Sequence, residues 1–274
     1  MALAFNALLH SYGVDPAQVR LLRHQTNPFR GRTLYGLWRD HHDEFLRYQS
    51  IQTPQNRSRL ASPYWASFVV TPARSDMFVG LWRVTPCGSC PQGTTDPLSG
   101  HDVTGLDRYE QDFVEASAEH VGRVYIDWGS GTRSWAQRAD RQDKLILEMT
   151  RTFQEEAFPG YGRFIANLST IEALPPGWLA ALSAVRGVYL LTCPRTREQY
   201  VGSACGEGGL LARWLEYVRN GHGGNVGLKS RDPADYQVSI LEVSGSTATV
   251  EEVLAAEQLW KAKLQSREMG LNRN

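Results

Sequence analysis

The spacing of apolar positions changes along the chain, and each change marks a change of expected architecture. In the first fifty residues the pattern is helical. Asp15-Pro16 offers a capping residue followed by a first-turn proline, and Val19, Leu21 and Leu22 give that segment one face to bury. Asn27-Pro28-Phe29-Arg30-Gly31 interrupts it, and Leu34, Leu37, Trp38, Phe45 and Tyr48 then predict a second helix from Leu34 to Gln49. From about Tyr64 the apolar runs become short, β-branched and aromatic. Trp65 to Val70 and Met77 to Val84, separated by Thr-Pro-Ala-Arg-Ser-Asp, read as strand, turn and strand, and Gly122 to Trp128 and Leu145 to Met149 add two more. The segment from Pro86 to Gly105 is rich in Gly, Pro, Ser and Thr and reads as a loop. Four or more strands with long connections predict a small curved sheet or barrel.

Residues 151–183 read as a helical connector: Pro159-Gly-Tyr-Gly is a turn signal, and Pro175-Pro-Gly-Trp starts a short helix ending near Val185. Beyond it the pattern is strand (Gly187 to Cys193), turn, strand (Gln199 to Ser203), helix (about Leu210 to Asn220), strand (Tyr236 to Val243) and helix (Val250 to about Arg267). The expectation is an α+β chain. A recognition domain over 1–150, helical in 1–50 and β-rich in 60–150, leads through the connector to a C-terminal domain over 184–274. That last domain is expected to carry a three-stranded antiparallel sheet flanked by helices.

Composition narrows the class. A chain of 274 residues with 42% hydrophobic and 10% aromatic side chains is globular and long enough for two domains. No apolar run approaches the roughly 20 residues that span a bilayer, and Met1-Ala-Leu-Ala-Phe-Asn lacks the basic start of a secretory signal, so a cytoplasmic protein is expected. Cys87-Gly-Ser-Cys90 has the spacing of half a zinc site, but Cys193 and Cys205 form no second pair at ligand spacing. The 29 basic and 29 acidic side chains cancel, which argues against a sequence-blind nucleic-acid coat and leaves local basic patches open.

Gly187-Val188-Tyr189, ten intervening residues, and then Tyr200-Val201-Gly202 form a pair of triplets, followed by Arg213, Tyr217, Glu257 and Asn272 in the elements just described. In order and spacing this set resembles the GIY-YIG nuclease superfamily, over roughly residues 184–274. The resemblance implies a phosphodiester-cleaving endonuclease acting on double-stranded DNA. It also implies one divalent ion, Mg2+ or Mn2+, held by the Glu257 carboxylate, a ligand set of one carboxylate and mostly water that suits a hard cation. By the same resemblance Arg213 would grip the scissile phosphate. Tyr189, with Tyr200 beside it, would act as general base or position the attacking water. Asn272 would buttress the carboxylate or the phosphate. Tyr217 stands where many relatives have histidine, which leaves open which tyrosine takes the proton. A free phenol titrates near ~10, so a base role needs cations nearby. Glu257 also sits among Ala255, Ala256, Leu259 and Trp260, where a carboxylate is costly unless paired or metal-bound.

Further DNA contacts are expected from the glycine-rich segment after the arginine helix, through His222, Asn225 and Lys229. In the N-terminal region Tyr64, Trp65, Trp82, Trp128 and Trp135 suggest an aromatic pocket for a base turned out of the duplex, a reading only loosely similar to the PUA-like readers of modification-dependent restriction. Arg20, Arg23, His24, Arg30, Arg32 and Arg39 are candidates for phosphate contact. The leading expectation is a restriction-type endonuclease, with dependence on a modified base as one form of it. A structure-selective repair or recombination nickase and a catalytically inactive nucleic-acid-binding protein are the alternatives. Cutting two strands with one site per chain calls for a homodimer or for successive nicks, and the sequence leaves both open.

Overall fold

The structure, a computed structural model, describes residues 3–25, 29, 31–130, 134–193, 195–221, 223, 228, 236–245 and 247–272. The chain divides into two compact units, Met1–Glu156 and Ala157–Asn274.

The first unit is built on a curled eight-stranded sheet. Its elements are α1 (Phe5–Ser11), β1 (Val19–His24), α2 (Leu34–Asp40), α3 (His42–Ser50), β2 (Ile51–Gln52), α4 (Arg57–Leu60), β3 (Tyr64–Val70), β4 (Asp76–Ser89), β5 (Asp107–Phe113), β6 (Val124–Ile126), β7 (Ala136–Arg138) and β8 (Ile146–Met149). Strands lie in the order β2-β5-β4-β3-β1-β7, and β6 joins β4 to β8. The near-continuous apolar runs of β3 and β4 follow from burial on both faces. Trp65, Val69, Met77 and Trp82 enter one core cluster, while Ala66, Phe68, Phe78 and Leu81 enter the other. Opposite Ser67 and Phe68 the register slips by one residue, so the bulge and the change of alternation lie in β4 at Val79 and Gly80.

Two helical expectations for this unit are corrected. Asp15 does cap, accepting a hydrogen bond from the Ala17 amide at 2.9 Å, but the helix stops after the single 3-10 turn Pro16–Gln18. Val19–His24 is instead a strand, paired parallel with β3 from Val19↔Tyr64 to His24↔Val69 and antiparallel with β7. Six residues with apolar side chains on both faces cannot distinguish a helix turn from a sheet-core strand, and the pairing with β3 decides. The predicted helix over Leu34 to Gln49 is two helices, because His41 leaves the helical region at φ −139°, ψ 60°.

The second unit holds β9 (Ile165–Asn167), α5 (Pro176–Ser183), β10 (Arg186–Thr192), β11 (Gln199–Ala204), α6 (Gly209–Asn220), β12 (Gln237–Ser244) and α7 (Val250–Lys263). Its sheet is antiparallel in the order β11-β10-β12-β9, four strands rather than the expected three. The added strand comes from the presumed connector. β9 pairs with β12 through Ala166↔Val238, and Phe164, Leu168, Ile171, Leu174, Trp178 and Leu182 all enter the core of this unit. Residues 157–183 are therefore part of the unit and no linker, since the sheet needs their apolar side chains as cover.

Tyr189, Leu191, Tyr200 and Val238 point to the face covered by α5 and α6. The alternation of the strands sends Val188, Val201 and Ser203 to the other face, where α7 packs on β10 and β11. α7 is held at its start by a complete capping box between Thr249 and Glu252.

Candidate active site

Register brings the two triplets together. β10 and β11 pair Gly187 with Ala204, Tyr189 with Gly202 and Leu191 with Tyr200. The Tyr189 side chain lies across Gly202, where an added Cβ would stand 2.5 Å from its hydroxyl and 2.8 Å from the Tyr200 ring. Gly187 is required from the opposite side, because a Cβ there would stand 2.1 Å from the Glu242 carbonyl oxygen of β12. Both glycines of the paired triplets are thus places of close approach.

Four of the six predicted residues gather on the α6 side. The Tyr189 and Tyr217 hydroxyls are 2.8 Å apart, and the Arg213 Nε donates to the Tyr189 oxygen at 3.4 Å. Tyr200 is hydrogen-bonded to Tyr217, with ring centroids 6.5 Å apart. The Arg213 guanidinium also stands over the Tyr217 ring at 5.0 Å and pairs with Glu216 at 2.7 Å. Either of the Tyr189 and Tyr217 hydroxyls can donate to the other, and Tyr189 is the phenol that also accepts from Arg213. All three tyrosines are buried, and that burial pushes their pKa values well above the ordinary phenol value. The nearby Arg213 charge works the other way and does not prevail. At neutral pH they are hydrogen-bond donors. Burial works against the Arg213 charge too, but the phenolic oxygens of Tyr189 and Tyr217 more than offset it and keep the guanidinium charged.

Glu257 belongs to a second group, on the α7 side of β11. Its Oε1 takes the Lys261 ammonium at 2.6 Å, and its Oε2 accepts from the Ser203 hydroxyl. Glu257 is 7% and Lys261 1% exposed. Tyr200 links the groups, since its phenol feels both the Glu257 carboxylate and the Arg213 guanidinium. Asn272 touches neither. Its Nδ2 donates to the Val201 carbonyl at 2.8 Å and its Oδ1 accepts from the Val201 amide at 2.9 Å, so it fills the free edge of the outer strand β11. In this structure its amide is spent on holding the second triplet in place.

Neither Ser203 nor Lys261 was among the expected site residues. Lys261 carried a signal, lying four residues after Glu257 and therefore one helical turn away on the same face. Ser203 carried none, because its contact arises only when α7 packs on β11. Among the described residues no three His, Cys, Asp or Glu side chains gather to hold a metal ion. The donor set at Glu257 is a single carboxylate whose oxygens keep lone pairs beyond those used by Lys261 and Ser203. It fits a hard, water-rich cation and not a metal needing three or four protein ligands. His222, Asn225 and Lys229 lie outside the described residues. The Cys87 thiol accepts from the Arg108 guanidinium at 3.2 Å, and Cys90 is buried.

No family model matches the chain, and no curated protein matches it. Among solved structures it is similar to the catalytic domain of homing endonuclease I-TevI, with 22% identity over 32% of this chain and 98% of that one, at a TM-score of 0.27. A mutant of the same intron-endonuclease domain gives 21% identity over 33% and 94%, at 0.28. Likeness at that level carries no argument about function or mechanism.

Proposed function

We propose that the chain is a DNA endonuclease that hydrolyses phosphodiester bonds at the second unit. The observation supporting this is that β11 carries on its α6 side a charged guanidinium with three buried phenols and on its α7 side a buried carboxylate, with Tyr200 under the influence of both charges. Phosphodiester hydrolysis asks for a cation on the phosphate, a group that orients the attacking water, and stabilisation of the leaving oxygen. Arg213 is partly exposed, permanently charged and held by Glu216, so it can take two phosphate oxygens at once. Tyr189, the phenol beside Arg213, would hold the water in line, with Tyr217 and Tyr200 behind it. Glu257 would hold a magnesium or manganese ion, which when bound supplies a Lewis acid and lowers the pKa of neighbouring oxygens. Asn272 and Gly202 keep Tyr189 and β11 in register.

The test is incubation of the protein with magnesium and phage DNAs that are unmodified or carry methylated or hydroxymethylated cytosine, followed on gels. Glu257→Ala is run in parallel, with Glu257→Gln beside it because both leave the Lys261 ammonium buried without its counter-charge. Wild type is expected to give discrete, magnesium-dependent fragments, and both variants to lose at least about 100-fold in rate while keeping their circular dichroism. Fragments from one DNA type alone would establish modification dependence. Cutting only of branched substrates would favour the nickase, and retained cutting in both variants would remove the metal assignment.

A further inference from the structure

The first unit contains a cleft of about 550 Å³, on the scale of small-molecule sites, lined by His24, Tyr48, Gln52, Asn56, Asp96 and Trp135 among others. It is not the expected aromatic cage. Trp65, Trp82 and Trp128 are 0%, 2% and 2% exposed and belong to the core, and of the five aromatics only Trp135 lines the cleft. Trp135 is anchored to β1 by its carbonyl, which accepts from the Arg23 amide at 2.7 Å.

The hydrogen-bonding character of the cleft floor can be worked out from a fixed point. The Leu46 carbonyl can only accept, so the Gln111 Nε2 donates to it at 2.9 Å and turns its own Oε1 toward Gln49. The Gln49 Nε2 donates to that oxygen, which leaves the Gln49 Oε1 to accept from the Ser67 hydroxyl and from the His24 Nε2 at 2.9 Å. His24 therefore carries its proton on Nε2, and Nδ1 is a bare acceptor. His24 is 6% exposed, and its Nδ1 has no partner among the described residues and is not sealed from solvent. Burial lowers its pKa to about 4, so the ring is neutral in ordinary buffers. Asp96 is the second acceptor. Its Oδ1 is taken by Leu98 N, Ser99 N and Ser99 Oγ at 2.6–3.0 Å, and its Oδ2 is not used by that turn.

A cluster of arginines borders the same place. Arg59 lies over the Trp135 ring at 5.8 Å, and Arg20 pairs with Arg138 in the β1–β7 register. Burial and the positive charges of Arg138 and Arg59 work against the Arg20 charge, Asp140, paired with Arg138 at 2.7 Å, works for it, and the buried Arg20 Nε has no partner among the described residues. The other expected phosphate contacts are spent elsewhere: Arg23 on Asp76, Arg32 on Glu44 and Arg39 on Asp40 and Glu155. Arg30 lies outside the described residues.

We propose that this cleft receives a nucleotide turned out of the DNA duplex, stacked on Trp135, read through an amino-bearing base edge by His24 Nδ1 and Asp96, with its phosphates on Arg20 and Arg59. The two acceptors, His24 Nδ1 and the second Asp96 oxygen, match the exocyclic amino group that cytosine, adenine and guanine carry and thymine lacks. Extrusion costs unstacking and unpairing, least at a mismatch, and the pocket returns that cost through stacking and hydrogen bonds. The proposal rests on the chain acting on DNA, but its test needs no cleavage.

Full-length protein in EDTA is titrated calorimetrically with dCMP, dAMP, dGMP and TMP, and then with duplexes that differ only by one mismatch. Amino-bearing nucleotides are expected to bind at least about tenfold more tightly than TMP, and the mismatch to tighten duplex binding about tenfold. Asp96→Asn keeps the Oδ1 bonds of the turn and replaces the second acceptor by a donor. It is expected to narrow or reverse the preference against TMP without unfolding the unit. Trp135→Ala should weaken all four, with the fold checked by circular dichroism. Equal binding of the four nucleotides that Asp96→Asn does not change overturns the proposal, and so does the absence of any binding. Magnesium-dependent cutting that persists alongside either negative result leaves the nuclease reading standing and removes only the pocket.

Discussion

Single residues carry two kinds of meaning here, and burial tells them apart. Glu257 could be picked out from its apolar neighbours alone, because a carboxylate in such company needs a partner. The structure gives it two, Lys261 and Ser203. Asn272 was legible as a position but not in its role, since the sequence cannot show that its amide spans both backbone groups of Val201. His24 shows the same limit and yields a prediction. Its pKa falls from 6.5 in the unfolded chain to about 4 in the folded protein because burial disfavours the charged ring. A depressed value means that the unfolded chain binds the proton more readily. The contribution of His24 is therefore complete above pH 6.5 and is lost as pH falls from there toward 4. Urea titrations of the first unit's transition at pH 7 and pH 4.5 should show wild type losing on the order of 2–3 kcal/mol more than His24→Gln over that interval. Parallel pH dependence in the two proteins would mean that His24 is charged in the fold.

At the level of elements, the β10–β11 pair converts a sequence pattern into a site. The spacing of the two triplets fixes the register, the register sets Tyr189 against Gly202, and that contact leaves no room for a side chain. Gly202→Ala adds one methyl group 2.5 Å from the Tyr189 hydroxyl, so the phenol must move. The expected outcome is destabilisation of about 1–3 kcal/mol and a loss of DNA cleavage of about 100-fold, because a shift of about an ångström at a reacting group costs that much. Denaturation and single-turnover cleavage measured on the same preparation check both, and near-normal cleavage would show that Tyr189 is not held against the substrate. The hairpin, α6, β12 and α7 were all legible in advance, because each has its own period and its own turn. β1 was misread as helix, β2, β5, β7 and β9 were missed, and β4 runs on to Ser89 where a loop was expected, because segments this short or, like β5, this polar carry too little apolar period and acquire their identity from the strand beside them.

For the whole molecule the consequence is where independent folding begins. The sequence pattern suggests a boundary near residue 183, whereas the second compact unit starts at Ala157. Phe164, Leu168, Ile171, Leu174, Trp178 and Leu182, each no more than 4% exposed, lie between those two points. At about 2 kcal/mol for each buried side chain, these six contribute on the order of 12 kcal/mol, as much as the net stability of an ordinary domain. A fragment of residues 157–274 is expected to fold and melt cooperatively, and a fragment of residues 184–274 to remain unfolded by circular dichroism and proton NMR. Cooperative melting of the shorter fragment would restore the connector.

What the sequence determined by itself is whatever depends on local period, turn chemistry and spacing: an α+β chain, β3, β4, β6 and β8 of the first unit, and the order of hairpin and helices in the second. It also named the residues around β11 before they could be seen together. Tertiary structure alone decided that Val19–His24 is a strand, that residues 157–183 belong to the second core, and that three tryptophans are packing rather than pocket. It also decided that Ser203 holds the Glu257 carboxylate. Each of these is a contact between segments far apart in the chain. Burial and hydrogen-bond partners exist only once those segments meet, so a linear pattern carries no trace of them.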